Sequence, residues 1–329
     1  MIRFSLFALA FILLQACSAP QQQPAYKDTF SSALATPPWY DAAQMDTVKV
    51  LSWNVEHFVD DFDNPYIGNR REDERGGNME ERRQLLAQAI KSINADIVVF
   101  QEFESDSYAQ QLAEEYWPEL GYQVFAGHES NDWYMNVVIM SRIPLGMFYS
   151  FATSNTPIVG QKDDEGNPES QTFINNRMWS VDVMVNPEYE FNLTGVHLKA
   201  GRGERNQEWR RGQINVLRAH YNRLTHLNPE VNLLAVGDFN AVPDSPEFMT
   251  FLGEDTETVQ FVDRLKNTQV YSHPADSAFW RIDHILPNTN MNREVIPESV
   301  KPVYVFSPDT MERIADHLPM IVHIIPADR

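Results

Sequence analysis

The sequence predicts an α/β fold with helices layered on sheets of mixed strand direction. Three observations carry that expectation. Strand-like and helix-like segments alternate between residues 48 and 140. The apolar run Leu233-Leu234-Ala235-Val236 stops abruptly at Gly237-Asp238-Phe239-Asn240, as a strand buried on both faces does. The segments 177–185 and 191–199 read as partners in an antiparallel hairpin, so the sheets are not wholly parallel.

The chain has 329 residues, 43% of them hydrophobic, enough for one large domain or two small ones. A net charge of −20 repels a nucleic-acid backbone at long range. It excludes a protein that coats DNA tightly and non-specifically, but not an enzyme that meets a polyanion through a local basic patch or a metal.

The N-terminus reads as an export signal. Arg3 precedes an apolar stretch, Phe4 to Leu14, far shorter than the ~20 residues of a membrane-spanning helix. Leu14-Gln15-Ala16-Cys17 resembles the bacterial lipoprotein processing box, and Cys17 is the sole cysteine. The expectation is a signal peptide over 1–16 and a lipid-anchored protein of the bacterial envelope, facing the periplasm or on the outer membrane. The other reading is an ordinary signal peptide cleaved after Ala16 or Ala19. Residues 17–45 carry Gln21-Gln22-Gln23-Pro24 and Pro37-Pro38 with no sustained apolar period, and read as a flexible tether to a domain spanning 46–329.

Val48 to Glu56 opens the domain as a strand, with Asn54 and Glu56 two apart on one face. Residues 60–83 are crowded with charge and read as a surface loop. Asp60, Asp61 and Asp63 there are oxygen ligands of the calcium type but lack a full EF-hand spacing, and the loop's arginines suit an anionic substrate as well. Glu80 to Asn94 has helical spacing, Ile97 to Phe100 is a buried strand ending on Gln101-Glu102, and Ser105 to Trp117 reads as a second helix. Tyr122–Ala126 and Asn136–Met140 read as strands, and Thr153 to Gln171 as a loop or hairpin tip.

After the 177–199 hairpin a long helix, Glu204 to Leu227, delivers the chain to the Asp238 strand. There Gly237 is expected to turn the backbone, and Asp238 and Asn240 to point the same way. Taken alone, that tripeptide also fits an Asx turn. Phe279 to Leu286 alternates as a strand, and Asp316-His317 precedes a last strand, Met320 to Ile325.

Ser52-Trp53-Asn54, Gln101-Glu102, His197-Leu198-Lys199, Gly237-Asp238-Phe239-Asn240, Arg281-Ile282-Asp283-His284 and Asp316-His317 follow one another in an order that resembles the motif series of the endonuclease/exonuclease/phosphatase superfamily. That group includes DNase I, exonuclease III type AP endonucleases, neutral sphingomyelinases and inositol polyphosphate 5-phosphatases. The resemblance covers about residues 46–326. It implies a four-layer α/β/β/α sandwich with two mixed sheets, DNase I-like, and metal-dependent hydrolysis of a phosphoester by direct attack of water.

Mg²⁺ or Mn²⁺, hard ions that take oxygen ligands, would stabilise the charge growing on the leaving oxygen. The resemblance implies Glu102 as first ligand, with Asn54, Glu56 and Asp316 assisting. It implies Asp238 as the base for water, oriented by Asn240, and a protonated His317 held by Asp283. His197 would donate to the phosphate, with Arg177 and Lys199 contacting it as cations. Trp133, Tyr134 and Trp209 suit base stacking or simply a core, and Trp280 before Arg281-Ile282-Asp283 resembles the pattern of AP endonucleases. No Cys/His spacing suggests zinc, and His220, His226, His273 and His323 read as surface or core residues.

The implied partners are a phosphoester substrate, either nucleic acid or a small phosphodiester, and a membrane reached through the lipid. No obligate protein partner is evident. A phosphomonoesterase or sphingomyelinase-like hydrolase is the near alternative. A non-catalytic envelope lipoprotein using the scaffold for binding is the distant one, and it predicts decay of at least one motif residue, of which none is seen.

Overall fold

A computed structural model describes residues 35–62, 78–130, 134–151, 155–172, 174, 177–253 and 258–328. The signal peptide, Cys17 and most of the tether, Asp63 and its arginine-rich sequel, and Trp133 lie outside these residues.

Two βαβ units form the frame. In the first, β1 (Val48–Phe58) leads through α1 (Met79–Ile93) to β2 (Ile97–Phe103), which pairs parallel to β1. Asn78 caps α1 by accepting from the Glu81 backbone N–H, and Asn94 ends it in a left-handed conformation. α2 (Asp106–Tyr116) starts on the Ser105 hydroxyl, and β3 (Val124–Gly127) and β4 (Asn136–Ser141) complete this side antiparallel.

β5 (Leu145–Ser150) then starts the other sheet, and β6 (Thr156–Lys162) with β7 (Pro168–Gln171) makes a separate two-stranded hairpin. β8 (Met178–Asn186) and β9 (Tyr189–His197) form the expected antiparallel pair. From β9 the second βαβ unit runs through α3 (Glu204–Leu227) to β10 (Leu233–Asp238), parallel to β9. α4 (Pro246–Leu252), β11 (Asp283–Pro287), β12 (Lys301–Pro302), α5 (Pro308–Glu312) and β13 (Met320–Ile324) follow. The six-stranded sheet has the order β12-β13-β1-β2-β4-β3, and the five-stranded sheet β11-β10-β9-β8-β5.

Strand alternation sorts the side chains into three apolar layers. Leu51, Trp53, Val98 and Phe100 face α1 and α2. Val50, Val99, Leu193, Leu234, Val236 and Ile285 fill the space between the sheets. Leu233, Ala235 and Leu286 face α3 and α4. Helices, sheet, sheet and helices thus make the four-layer sandwich. The sheets approach closely: a Cβ on Gly195 would lie 2.8 Å from the Trp179 ring and 2.9 Å from Val137 of the other sheet. The Trp179 indole also donates across the gap to the Val137 carbonyl at 2.7 Å.

Three expectations need correction. Gly237 does not turn the chain; it lies inside β10, with φ 138°, where a Cβ would fall 2.0 Å from the Val196 carbonyl. Close approach of β9 requires the glycine. The strand expected over 279–286 begins only at Asp283, because residues 279–282 are drawn aside: Arg281 pairs with Asp263 at 2.7 Å and Trp280 bridges to His273. The end of the tether is docked: Ala42–Gln44 form a 3₁₀ turn, and the Tyr40 hydroxyl donates to the Val185 carbonyl at 2.5 Å.

Candidate active site

The same alternation that fills the space between the sheets places the polar residues at its end. On β1 the inward positions run Val48, Val50, Ser52, Asn54. On β10 they run Leu234, Val236, Asp238. On β9 the inward series ends at His197, and β11, antiparallel to β10, begins with Asp283 opposite Asp238. Both βαβ units therefore end their parallel strands at one rim, and the antiparallel strands start there.

Asp238 is the hub. Its Oδ1 accepts from the Asn240 backbone N–H at 2.8 Å, and its Oδ2 accepts from the side-chain amides of Asn240 and Asn54, each at 3.1 Å. The His197 Nε2 stands 3.8 Å and the His317 Nε2 3.9 Å from the same oxygen. Burial, foremost, pushes the Asp238 pKa up to about 7, against the pull of His317 and with a push from Asp283. Asn240 adopts φ 49°, and its amide also donates to the Leu198 carbonyl at 3.1 Å, which fixes the turn after β10.

His317 is held on three sides. Its Nδ1 donates to Asp283 Oδ2 at 2.8 Å, Ser272 donates to the same oxygen at 2.6 Å, and the Trp53 indole donates to the His317 carbonyl at 2.8 Å. Burial disfavours its charge, but Asp283 outweighs burial, with Asp238 and Asp316 adding, and raises the pKa to about 10. His317 is an imidazolium at neutral pH. His197 is the reverse: burial drives its pKa down to about 3, against the pull of Glu102, so it is neutral.

Glu102, on the facing sheet, accepts from the Asn54 amide at 3.2 Å and from the His57 backbone N–H at 3.2 Å. The His197 and His57 rings stand 3.7 and 3.6 Å away. Burial opposes its charge, but His57, the Asn54 bond and the His317 imidazolium outweigh it and hold the carboxyl below its ordinary range. Glu102 itself adopts φ 56°, at an irregularity in the β2 pairing.

Asn54 and Glu56 do not share a face in the expected way. Glu56 and His57 have φ of 45° and 47°, and the β1–β2 register shifts between Asn54 and Phe58, so a bulge intervenes. Arg82 pins it, donating to the carbonyls of Val55, Glu56 and Ile314. Asn54 bridges the two carboxylates through its amide nitrogen, and its Oδ1 accepts from the Glu56 backbone N–H at 3.1 Å. Its amide nitrogen is thus committed to the carboxylates, while its Oδ1 keeps a second lone pair. Glu56 turns toward Asp316: burial, then the charges of Asp316 and Glu102, raise its pKa, with Arg82 opposing.

Three acids thus crowd one region. Asp316 is held below its ordinary pKa, against burial, by His273 at 3.5 Å and by His317. An excess of buried carboxylate is what a hard divalent cation relieves. Glu56, half-buried, is coupled by charge to both Asp316 and Glu102, so this acidic edge of the site is where such an ion would sit. The tighter clusters His273-Asp316-His317 and Asp238-Asp283-His317 both include His317, whose Nδ1 and charge are already committed to Asp283.

The expected phosphate contacts are near but differ in setting. Arg177 immediately precedes β8; burial lowers its pKa against the pull of Glu102 and Asp238, and its carbonyl accepts from the His197 N–H at 2.7 Å. Lys199 lies over the Trp209 ring at 5.4 Å, on a loop held by Gln213 and Arg210. Two of the aromatic side chains are already engaged within the protein. Tyr134 is 1% exposed and bonded to His57 at 2.8 Å, and Trp280 carries His273 and Arg202 on its ring.

His57 and Ser272 join the site without having been read from the sequence, and His273, expected at the surface or in the core, stands against Asp316 instead. His57 was hidden by the bulge, which breaks strand periodicity. Ser272 and His273 lie on a segment with no period at all. Asp60 and Asp61 form no cation site among the described residues; Asp61 is paired with Arg83 at 2.8 Å.

The sequence profile of the Endonuclease/Exonuclease/phosphatase family matches residues 51–317, which include every residue of this constellation. No curated protein matches the chain. Among solved structures, the human Nocturnin catalytic domain with bound sulfate is similar at 17% identity and TM-score 0.55, covering 84% of this chain and 94% of that one. An AP endonuclease from Archaeoglobus fulgidus is similar at 15% identity and TM-score 0.52, over 84% and 98%. A mannosyl-6-phosphatase from Bacteroides thetaiotaomicron is similar at 16% and 0.50, over 84% and 98%. These likenesses show the fold, and the profile shows the family: the chain belongs to the endonuclease/exonuclease/phosphatase family of phosphoesterases.

Proposed function

We propose that this protein is a divalent-metal-dependent phosphodiesterase, nuclease-like, held at the bacterial envelope by a lipid on Cys17. The convergence of Asp238, Asp283, His317, His197 and Glu102 at one rim of the sandwich supports the reading. Bound by Glu102, Glu56 and Asp316, Mg²⁺ or Mn²⁺ would supply charge neutralisation for the phosphoryl and leaving oxygens.

The residues divide the remaining work. Asp238, lifted toward neutral pH by burial, takes a proton from the attacking water while Asn240 and Asn54 fix the carboxylate. His317 donates its Nε2–H to a phosphoryl oxygen as charge builds, and Asp283 keeps it protonated and aimed. Neutral His197 donates a further hydrogen bond, and Arg177 supplies fixed positive charge.

The test is the soluble domain against a panel of DNA, RNA, small phosphodiesters and phosphomonoesters with Mg²⁺ or Mn²⁺. Hydrolysis of a diester that EDTA abolishes supports the reading. Activity confined to monoesters assigns a phosphatase instead, and inactivity on the whole panel removes the enzyme. Cys17→Ser is expected to shift the protein from the membrane to the soluble fraction; unchanged sedimentation would remove the anchor.

A further inference from the structure

The acidic edge of the site is carried by two segments far apart in sequence. Glu56 rides on the bulge of β1, and Asp316 on the loop between α5 and β13. The β1–β13 ladder that joins these segments stops at Ser52 opposite Met320, short of both acids. Beyond the ladder one guanidinium spans the gap. Arg82, in the first turn of α1, donates through Nη2 to the Val55 carbonyl at 2.7 Å and to the Glu56 carbonyl. Through Nε and Nη2 it donates to the Ile314 carbonyl, at 3.1 and 2.8 Å, two residues before Asp316.

What this group does not do is equally informative. Its remaining nitrogen, Nη1, faces the Met79 sulfur at 3.4 Å, and the whole group lies over the Phe58 ring at 5.2 Å. Its donors go to backbone rather than to carboxylates, although Glu56, Asp316 and Glu102 all feel its charge. A positive charge behind a cation site opposes the cation. Charge alone therefore gives no reason for Arg82 to stand there, and geometry does. A planar fork reaches the carbonyls of two segments at once, which one ammonium on a flexible lysine stem does not.

We propose that Arg82 is the positioning residue of the metal edge, fixing the backbones that carry Glu56 and Asp316 at one spacing before a cation arrives. It acts through those backbones and not on the substrate. The proposal rests on the divalent-metal reading of the site.

The experiment is Mn²⁺ titration of the full chain, followed by the electron paramagnetic resonance of free Mn²⁺, and it needs no substrate. Arg82→Lys keeps the charge and loses the fork. It is expected to weaken Mn²⁺ binding about tenfold or more, as loss of a group that orients metal ligands does, with hydrolysis returning at raised Mn²⁺. Arg82→Gln loses the charge as well and is also expected to bind more weakly than the wild type. Were the charge alone at work, Arg82→Lys would bind as the wild type does and Arg82→Gln more tightly; that result overturns the proposal. Should Arg82→Lys not fold, hydrogen exchange of the wild type decides. The Glu56 and His57 amides donate to Asn54 and Glu102 at 3.1 and 3.2 Å, and are expected to be protected without metal and little changed by it. Protection that appears only with Mn²⁺ would mean that the cation builds the edge, and overturns the proposal. A wild type that binds no Mn²⁺ removes the divalent-metal reading and the proposal with it, whereas equal binding by wild type and Arg82→Lys removes the proposal alone.

Discussion

Glu102 and Asp238 each stand at the carboxyl end of the second strand of a βαβ unit, one in each sheet, and each accepts from the Asn54 amide, at 3.2 and 3.1 Å. Burial pushes both toward the protonated form. Glu102 is nevertheless held below its ordinary pKa by His57, the Asn54 bond and His317, whereas Asp238 is lifted to about 7 by burial first, with Asp283 and Glu102 adding. Two carboxylates placed almost symmetrically are thus driven apart by their neighbours. The one held toward its charged form suits a cation; the one poised near neutrality suits proton transfer. Position in the fold brings both to the rim, and surroundings divide their roles.

Asp238→Asn tests the division most severely. It removes the proton acceptor and keeps the shape, so kcat is expected to fall by about 10²–10⁴-fold, with metal binding retained. In the wild type, kcat/KM is expected to rise with pH through an apparent pKa at or below about 7, since the base works deprotonated and a nearby cation favours that form. The variant should lose that limb. A variant that keeps it would assign the base elsewhere.

Glu102→Gln is expected to act through the cation instead. Saturating Mn²⁺ at a hundredfold over its Kd stabilises a protein by about 2.7 kcal/mol, seen as a rise in Tm. Glu102→Gln should lose most of that rise and recover activity at raised Mn²⁺, while Asp238→Asn should keep the rise and recover nothing. Identical behaviour of the two variants would erase the distinction between the carboxylates.

Asp283→Asn tests the charge facing Asp238. His317 is raised to about 10, largely by Asp283. Activity that needs the imidazolium is present below that value and lost as pH rises through it. Without Asp283 the alkaline limb should move down toward the ordinary histidine value of about 6.5, giving on the order of tenfold or more loss at pH 8.5 and much less at pH 6. Stability carries the same sign: a folded pKa above the unfolded one stabilises below about 6.5, and the contribution disappears as pH rises through 10.

Much of the site was legible because strand parity is a local rule. Asp238 and Asn240, Glu102 after its apolar run, and the Asp316-His317 pair could each be placed at a strand end from neighbouring residues alone. Where parity failed, so did the reading. The two left-handed residues Glu56 and His57 hid a histidine of the site. Gly237 was assigned to a turn because its reason, the Val196 carbonyl of β9, lies on another strand. His273 reaches Asp316 only through a loop whose course is set by Trp280 and the Arg281–Asp263 pair. Such contacts are tertiary, and no periodicity encodes them.

The weakest expected effect separates the site from its support. His284 follows Asp283 on β11 and, by parity, faces the opposite layer, between Phe239 and Phe248. Its Nε2–H donates to the Ala241 carbonyl at 2.9 Å, one residue beyond Asn240. Burial lowers its pKa to about 3, so it is folded neutral and takes a proton only on unfolding or in strong acid. A folded pKa below the unfolded one means that the unfolded chain binds more protons between about pH 6.5 and 3, and stability declines as pH falls through that window. His284→Gln, which keeps a donor for Ala241 but does not titrate, should lessen the fall in Tm between pH 7 and pH 4.5, while activity at pH 8 stays within about threefold. A larger loss of activity would make the Ala241 contact part of what holds Asn240 and Asp238 in register, and would move His284 from the scaffold into the positioning of the base.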